Sequence, residues 1–380
     1  MKSNYKLGEL IRNVDIKNRD LHCTNLRGLS MTKEFRESTS NIVGTDLSKY
    51  KIVSTRQFAC DFMSAIRVHR MPIAFNKEEQ EILVSPAYAV FEVIDETILL
   101  PEYLMLWFCR SEFDRYADFR SDAAIRGGYG WNELCDTAIN IPTLDQQKKI
   151  VERYNIITDR IELKRKINDN LADTIDAIFI NLYQNIDEEN VIPFCDLCSI
   201  ASSKRVFAED YVSEGVPFYR GKEITQKRNG EPINDPLYIT TEHYETLKKK
   251  YGVPTCGDIL ITAVGTIGNS YLVQEEDFYF KDGNIIWLKD FRELGLNHYL
   301  YDYMQTSIFK RELEGICIGS TQTALTIVAL SNLKVKIPNQ TVLSEYCRKS
   351  KVIRSNIQIN NSEISNLTLV AQSLLASLSR

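Results

Sequence analysis

Apolar residues recur at alternating steps of four and three through Leu144–Tyr183, a stretch without proline or glycine. The seam reads Ile150, Tyr154, Ile157, Ile161, Lys164, Asn168, Leu171, Ile175, Ile178 and Leu182. This is the period of a long helix that packs along one stripe against another helix. About forty residues at 1.5 Å each give a rod of roughly 60 Å, too long for an ordinary globular core. Adding 196 to each seam position gives Tyr346, Ser350, Ile353, Ile357, Asn360, Ile364, Leu367, Ala371, Leu374 and Leu378. The same offset maps Pro142 onto Pro338, Leu134 onto Leu330, and Tyr103, Leu104, Phe113 and Arg115 onto Tyr299, Leu300, Phe309 and Arg311. One offset serving a helix, a proline and an upstream helical segment marks a tandem duplication. The expected divisions are a mixed domain over 1–143, a long helix over 144–186, a second mixed domain over 187–338 and a second long helix over 339–380.

Within the first unit, YKIVS (50–54), FACDFM (58–63), PIAF (72–75), ILVS (82–85) and YAVFEV (88–93) are short, β-branched and aromatic runs between polar breaks. They predict strands. Residues 24–49 are polar and predict an irregular surface segment, and a helix is expected over 101–120 with Pro101 in its first turn. A Gly-rich loop, Arg126 to Trp131, precedes the strand AINIP. The second unit opens with IPFCDLCSI (192–200), matching the KLGELI opening in pattern. Strands are expected at 236–240 and on both sides of a glycine-containing turn in Cys256–Ser270, and helices over 241–250 and 297–313. The Asp282-Gly283 pair between FYFK and NIIWL predicts a hairpin. The whole chain reads as α+β.

Composition adds limits. At 380 residues and 44% apolar content, two or three packed domains are expected. Lys plus Arg is 46 against 51 Asp plus Glu, so the net charge of −5 gives no general affinity for polyanions; placement of the positive charge decides. Nine scattered cysteines, no apolar leader and no apolar run of membrane-spanning length predict free thiols in a reducing cytoplasm.

Several catalytic look-alikes fail on spacing. Asn234-Asp-Pro-Leu-Tyr238 lacks the second proline of an amino-methyltransferase motif, and no cofactor loop precedes it. Gly215 to Glu223 has phosphate-loop character, but its glycines are one residue too far apart and Glu223 stands where a Ser or Thr would hold magnesium. Glu162-Leu-Lys164 lies inside the long helix, where a nuclease carboxylate motif would not. Cys195-Asp-Leu-Cys198 is a lone C-x-x-C without the second pair that zinc requires. The four histidines are dispersed. No metal site and no catalytic constellation is expected. Basic residues do gather, with aromatics among them, in 204–228, 248–250 and 67–70. Gly319-Ser-Thr-Gln-Thr323 offers small and amide side chains suited to close approach and base-edge hydrogen bonds. Two such domains held apart by a rod suggest nucleic-acid binding. A protein-binding scaffold and a single-chain methyltransferase or nuclease are the competing classes.

The pattern of variable domain, helix, variable domain, helix resembles the specificity subunits of type I restriction–modification enzymes. Lys6-Leu-Gly-Glu-Leu10, Val84 to Phe91, Ile141-Pro-Thr-Leu-Asp-Gln-Gln147, Gly257-Asp-Ile-Leu260, and Gly319 through Pro338 carry the resemblance. The start of the second helix, Pro338-Asn-Gln-Thr-Val-Leu343, departs from that of the first. The resemblance implies two target-recognition domains, each reading half of a split double-stranded DNA target, and two long helices pairing as an antiparallel coiled coil. It implies docking of methyltransferase subunits, with restriction subunits joining through the complex. S-adenosylmethionine, ATP and Mg2+ would belong to those partners, and this chain would hold no cofactor. The DNA contacts expected are Arg126, Tyr129, Arg220, Lys222, Lys227, Arg228, Thr262, Thr266, Ser320, Thr321 and Gln322. The helix-pairing residues expected are Ile157, Ile161, Asn168, Leu171, Ile175, Ile178, Ile353, Ile357, Asn360, Ile364, Leu367 and Leu374.

Overall fold

A computed structural model describes residues 3–38, 44–63, 70–122, 129–231, 233, 235–317 and 323–378. Two compact units emerge, one formed by 1–163 with 363–380 and the other by 164–362. The long helices, set apart as separate segments by the sequence, are thus shared between the units.

The first unit begins with β1 (Ser3–Lys6), one 3-10 turn at Leu7–Glu9, and β2 (Ile11–Val14). Then come β3 (Arg27–Leu29), β4 (Phe35–Glu37), β5 (Lys51–Val53), β6 (Phe58–Cys60), β7 (Ile73–Phe75), β8 (Ile82–Val84) and β9 (Ala89–Val93). Helices α1 (Pro101–Phe108), α2 (Ser111–Asp122) and α3 (Trp131–Asp136) lead to β10 (Ala138–Ile141) and to α4 (Leu144–Gln184). The central sheet has the order β2-β9-β6-β7, all antiparallel, and β10 closes the unit by pairing with β1. Successive residues of a strand face opposite sides of its sheet. Phe58, Cys60, Ile73, Phe75 and Phe91 therefore face the helices, in one core with Leu104, Phe108 and Leu134. Ala59, Ala74 and Val90 face a second core with Leu29, Val53 and Val84 from the smaller strand pairs.

The second unit repeats this plan. It contains β11 (Val191–Pro193), β12 (Ser199–Ala201), β13 (Tyr211–Val212), β14 (Val216–Tyr219), α5 (Gly221–Arg228), β15 (Leu237–Ile239) and α6 (Thr241–Tyr251). It continues through β16 (Ile259–Thr262), β17 (Ser270–Leu272), β18 (Tyr279–Phe280), β19 (Ile285–Lys289), α7 (Leu296–Gln305), α8 (Ser307–Ile316), α9 (Ile327–Asn332), β20 (Lys334–Lys336) and α10 (Gln340–Ser377). Its central sheet runs β12-β19-β16-β17, the same order as in the first unit, and β20 closes on β11 as β10 closes on β1. The opening turn is held the same way in both. Leu7 N–H donates to the Thr137 carbonyl and Phe194 N–H to the Leu333 carbonyl, each at 2.9 Å. What differs is the layer behind the sheet, which in the second unit is a four-stranded sheet ordered β13-β15-β14-β18.

Two expectations are corrected here, and one element is added. Asp282-Gly283 is no hairpin turn. β18 pairs parallel with β14 while β19 lies in the central sheet, so the turn, with Gly283 at φ 71°, carries the chain from one sheet to the other. Residues 24–49 are not simply a surface loop. They contain the antiparallel pair β3–β4 and the buried Lys33, whose ammonium donates to the Phe108 carbonyl at 2.6 Å and pairs with Asp114 at 2.7 Å. The basic stretch after Tyr219 forms α5, which the sequence pattern did not reveal.

Every seam position read from the heptads, in both α4 and α10, is buried or half-buried. Within the second unit, Asn360 donates to Asn168 at 2.8 Å, Lys164 donates to Asn360 at 2.8 Å, and Asn168 donates to Asn361 at 2.8 Å. Further along, the Phe179 and Tyr346 rings meet at 5.8 Å. Rising positions on α4 thus meet falling ones on α10, so the pair is antiparallel. In the first unit Arg160 is paired with Glu363. Amides inside an apolar stripe fix register, because any slip leaves them without partners.

The two helix starts differ in chemistry. Gln147 is fully buried; its side chain accepts from Leu100 N–H at 2.9 Å and donates to the carbonyls of Ile98 at 2.8 Å and Pro142 at 3.0 Å. Its counterpart Leu343 is fully buried among apolar groups. Gln147→Leu should therefore destabilise the protein by about 1–3 kcal/mol, the cost of orphaned buried polar groups. Urea unfolding reads the change, and an unshifted midpoint would refute the role given to these bonds.

Candidate nucleic-acid interface

Of the eleven residues expected at the interface, Arg126, Ser320, Thr321 and Gln322 lie outside the described residues. Two others lie inside the protein. Tyr129 is 2% exposed, its hydroxyl 3.0 Å from Thr137 Oγ1 and its ring edge-on to Tyr116. Burial pushes its phenol pKa well up, and the side chain closes the core of the first unit. Thr262 is fully buried at the end of β16, where its hydroxyl donates to the Thr266 carbonyl. Both are corrections: a glycine-rich neighbourhood leaves room for close backbone approach but does not say which side chains point inward.

The remaining five gather in the second unit around α5 and the β16–β17 loop. Arg220 precedes α5 and lies back on Glu223, with contacts of 3.1 and 2.7 Å. Burial pushes the Glu223 carboxyl up, but the hydrogen bonds and charge of Arg220 outweigh it and hold the group below the usual carboxylate range. Lys227 pairs with Glu276 and lies over the rings of Tyr219 at 5.6 Å and Tyr271 at 6.0 Å. Its charge is neutralised within the fold. Arg228 reaches Gln305 Oε1 through Nη2 at 2.8 Å and Nε at 3.1 Å, and Asn269 Oδ1 through Nη1 at 2.6 Å. Lys222, in the first turn of α5, is exposed and has no ion-pair partner among the described residues. Thr266 is exposed at the loop tip, 3.1 Å from the Thr225 hydroxyl.

The loop itself, Ala263 to Asn269, is tightly folded. Thr262 N–H donates to the Asn269 carbonyl at 2.9 Å and Gly268 N–H donates back to the Thr262 carbonyl at 2.9 Å. Gly265 and Gly268 adopt φ of 79° and 87°, and a Cβ on Gly268 would collide with Leu313. Left-handed backbone at two positions explains why glycine is needed at both. Val264 bridges to Ala324, and Leu325 N–H donates to the Ala263 carbonyl at 2.9 Å. The backbone just after the Ser320–Gln322 segment is therefore zipped to this loop. Sequence reasoning missed Thr225, Asn269 and Gln305, the uncharged polar residues that organise the region; the glycine spacing around Asn269 was the available signal.

Among the described residues no group of three or more His, Cys, Asp or Glu is placed to hold a metal ion, and all nine cysteines are free. Cys195 is exposed while Cys198 is buried with its thiol pushed up to about 12 by burial. No described helix is long and apolar enough to cross a membrane.

The chain is a duplicated α+β module, each copy followed by a long helix, with a polar loop cluster on α5 and the β16–β17 turn of the second copy. Residues 188–368 match the family model for the type I restriction modification DNA specificity domain. A Haemophilus influenzae chain named type I restriction enzyme specificity subunit S.HindORF215P is 36% identical over 156 residues, 40% of this chain and 37% of that one. The HindI specificity subunit of the same organism is 29% identical over 109 residues, 28% of this chain and 23% of the relative. The matches thus span less than two fifths of the length of these relatives. The crystal structure of the type I restriction–modification S subunit from M. genitalium aligns over 100% of this chain and 96% of its own, with a TM-score of 0.55 at 13% identity, a likeness of fold. Residues 188–368 are thus similar to the DNA specificity domain of type I restriction–modification enzymes, and the chain is similar in part to two of their specificity subunits.

Proposed function

We propose that the chain reads a bipartite double-stranded DNA target, one half-site per unit, and docks the methyltransferase subunits that modify it. The observation that carries this reading is the repeated module: two central sheets of identical strand order, each closed in the same way and followed by a long helix. Two readers on one chain fit two half-sites, and the helix pair fits a spacer between them. Restriction subunits join through the complex. S-adenosylmethionine, ATP and Mg2+ act on those partners, this chain does no chemistry of its own, and the complex works in the cytoplasm. A second stripe of apolar residues on the helices supports docking: Ile156 and Leu163 in the first unit, and Val352 and Ile359 in the second, are spaced seven apart and exposed. On the DNA side, Lys222 is the described cation best placed to meet phosphate, and Thr266 the exposed hydroxyl best placed to meet a base. Arg126, Ser320, Thr321 and Gln322 complete the proposed contacts.

The test is methylation-sensitive sequencing of a host genome that carries the chain with its methyltransferase partner. A split motif with methylated adenines in both halves, lost on deletion of this gene, supports the reading. An active methyltransferase and a soluble complex with no motif would favour a protein-binding scaffold. At the residue level, Lys222→Ala should weaken binding to every sequence and flatten the plot of log K against log salt by about 0.9. Fluorescence anisotropy titrations at several salt concentrations read the slope, and an unchanged slope removes Lys222 from the phosphate contacts.

A further inference from the structure

We propose that Arg228 is a positioning residue for sequence discrimination by the second unit: it fixes the β16–β17 loop that presents Thr266, and does not itself hold phosphate. The inference rests on the DNA-reading function proposed above. Arg228 sits in the last turn of α5, where a cation next to nucleic acid would ordinarily be assigned to the backbone. Its geometry says otherwise. All three of its guanidinium nitrogens are engaged, and every acceptor is an amide oxygen, one on the loop and one at the end of α7. A planar fork can bridge two such acceptors at fixed angles, which an ammonium cannot.

The consequence travels through the two amides. With Asn269 Oδ1 turned to Arg228, Asn269 Nδ2 donates to Thr225 Oγ1 at 3.1 Å, and Thr225 in turn meets the Thr266 hydroxyl at 3.1 Å. With Gln305 Oε1 turned to Arg228, Gln305 Nε2 donates to Ser270 Oγ at 2.7 Å. One guanidinium thus sets the orientation of both amides and secures both ends of the network behind the loop tip. The tip is where the exposed Thr266 sits, and its flank is the strand bridge to Ala324. A base-reading group must be held within a fraction of an ångström to discriminate, so loosening the support costs specificity more than affinity.

The experiment uses the full complex of this chain with its methyltransferase subunits, on DNA bearing the mapped target and on single-base-pair variants of each half-site. Arg228→Lys keeps the charge and loses the fork; Arg228→Gln loses both. Each should lower discrimination at the half-site read by the second unit by about tenfold, the scale of one mismatched base pair. Discrimination at the other half-site and the salt slope should stay at wild-type values. Thr266→Ala, an exposed substitution that leaves the fold intact, should lower discrimination at the same half-site with the slope unchanged. If Arg228→Lys discriminates like wild type while Arg228→Gln flattens the salt slope by about 0.9, Arg228 is a phosphate contact and the proposal falls. A wild-type discrimination profile for Thr266→Ala would remove the loop tip from recognition and overturn it as well. Should the wild-type complex show no sequence preference at all, the DNA-reading function fails first, and the three variants are read no further.

Discussion

Ile175→Asp should abolish the folded second unit and, with it, association with the proposed methyltransferase partner. Ile175 is 6% exposed on the seam of α4. Burying an unpaired carboxylate costs several kcal/mol even when it protonates, and the loss of the isoleucine side chain adds roughly 2–5 kcal/mol. That sum is comparable to the lower part of the typical total stability of a domain, about 5–15 kcal/mol. Leu367→Asp, at a half-buried seam position of α10, should act in the same direction with a smaller effect because water reaches its neighbourhood. Circular dichroism melts and co-purification with the methyltransferase subunit read both. Unchanged melting and unchanged partner affinity for Ile175→Asp would refute the pairing function of the seam.

Asp302→Ala should cost the second unit about 3–5 kcal/mol, the penalty for leaving one partner of a buried ion pair alone. Asp302, on α7, is 1% exposed and pairs with Arg354 of α10; Tyr346 donates to its other oxygen at 2.6 Å. The Arg354 guanidinium also lies over the Tyr301 ring at 4.9 Å. The Asp176 carboxylate also acts on Arg354 through its charge, but burial pushes its own pKa up, so it is a poorer partner. His298 is half-buried, its Nδ1 buried with no hydrogen-bond partner among the described residues, and burial, with the charges of Arg354 and Lys351, holds its pKa below the ordinary imidazole value, which favours the neutral form. Because the cost is that of a stranded charge, replacing both partners with apolar residues of similar volume should recover most of it. The pair Asp302→Leu with Arg354→Met tests this by urea unfolding. If the double variant were as unstable as Asp302→Ala alone, packing rather than charge would explain the loss.

The seams were legible because a heptad stripe depends only on residues three and four apart, and every position it named is covered. The duplication was legible for a related reason: Leu104 and Leu300, Phe113 and Phe309, and Leu134 and Leu330 are buried equivalents that keep their spacing. The site was less so. Lys227 looks like a free cation in sequence, yet its partner Glu276 is 49 residues away. Tyr129 and Thr262 lie in stretches whose inward or outward direction is set by tertiary packing. α5 was missed because a short basic helix has no apolar stripe of its own; it forms because Gly221 packs close to Thr262 and Glu223 caps its first turn. The Asp282-Gly283 turn shows the limit of local reading. Its chemistry fits a tight turn, but which sheet each flank joins is decided by strands far away in sequence.

The first unit has one more property, which concerns its biosynthesis. Leu378 packs against its core, and its share of α4 groups with the end of α10 from residue 363 onward. The second unit needs only residues 164–362. A ribosome therefore releases the earlier half of the chain with an uncovered stripe of Tyr154, Ile157 and Ile161, and the later half can close before it. Domains usually mature in the order in which they emerge; here the amino-terminal one must wait for the last helix. Until then its exposed stripe is a target for chaperones and for the same stripe on a neighbouring nascent chain, so a premature stop before residue 363 leaves a product prone to aggregate rather than one working half.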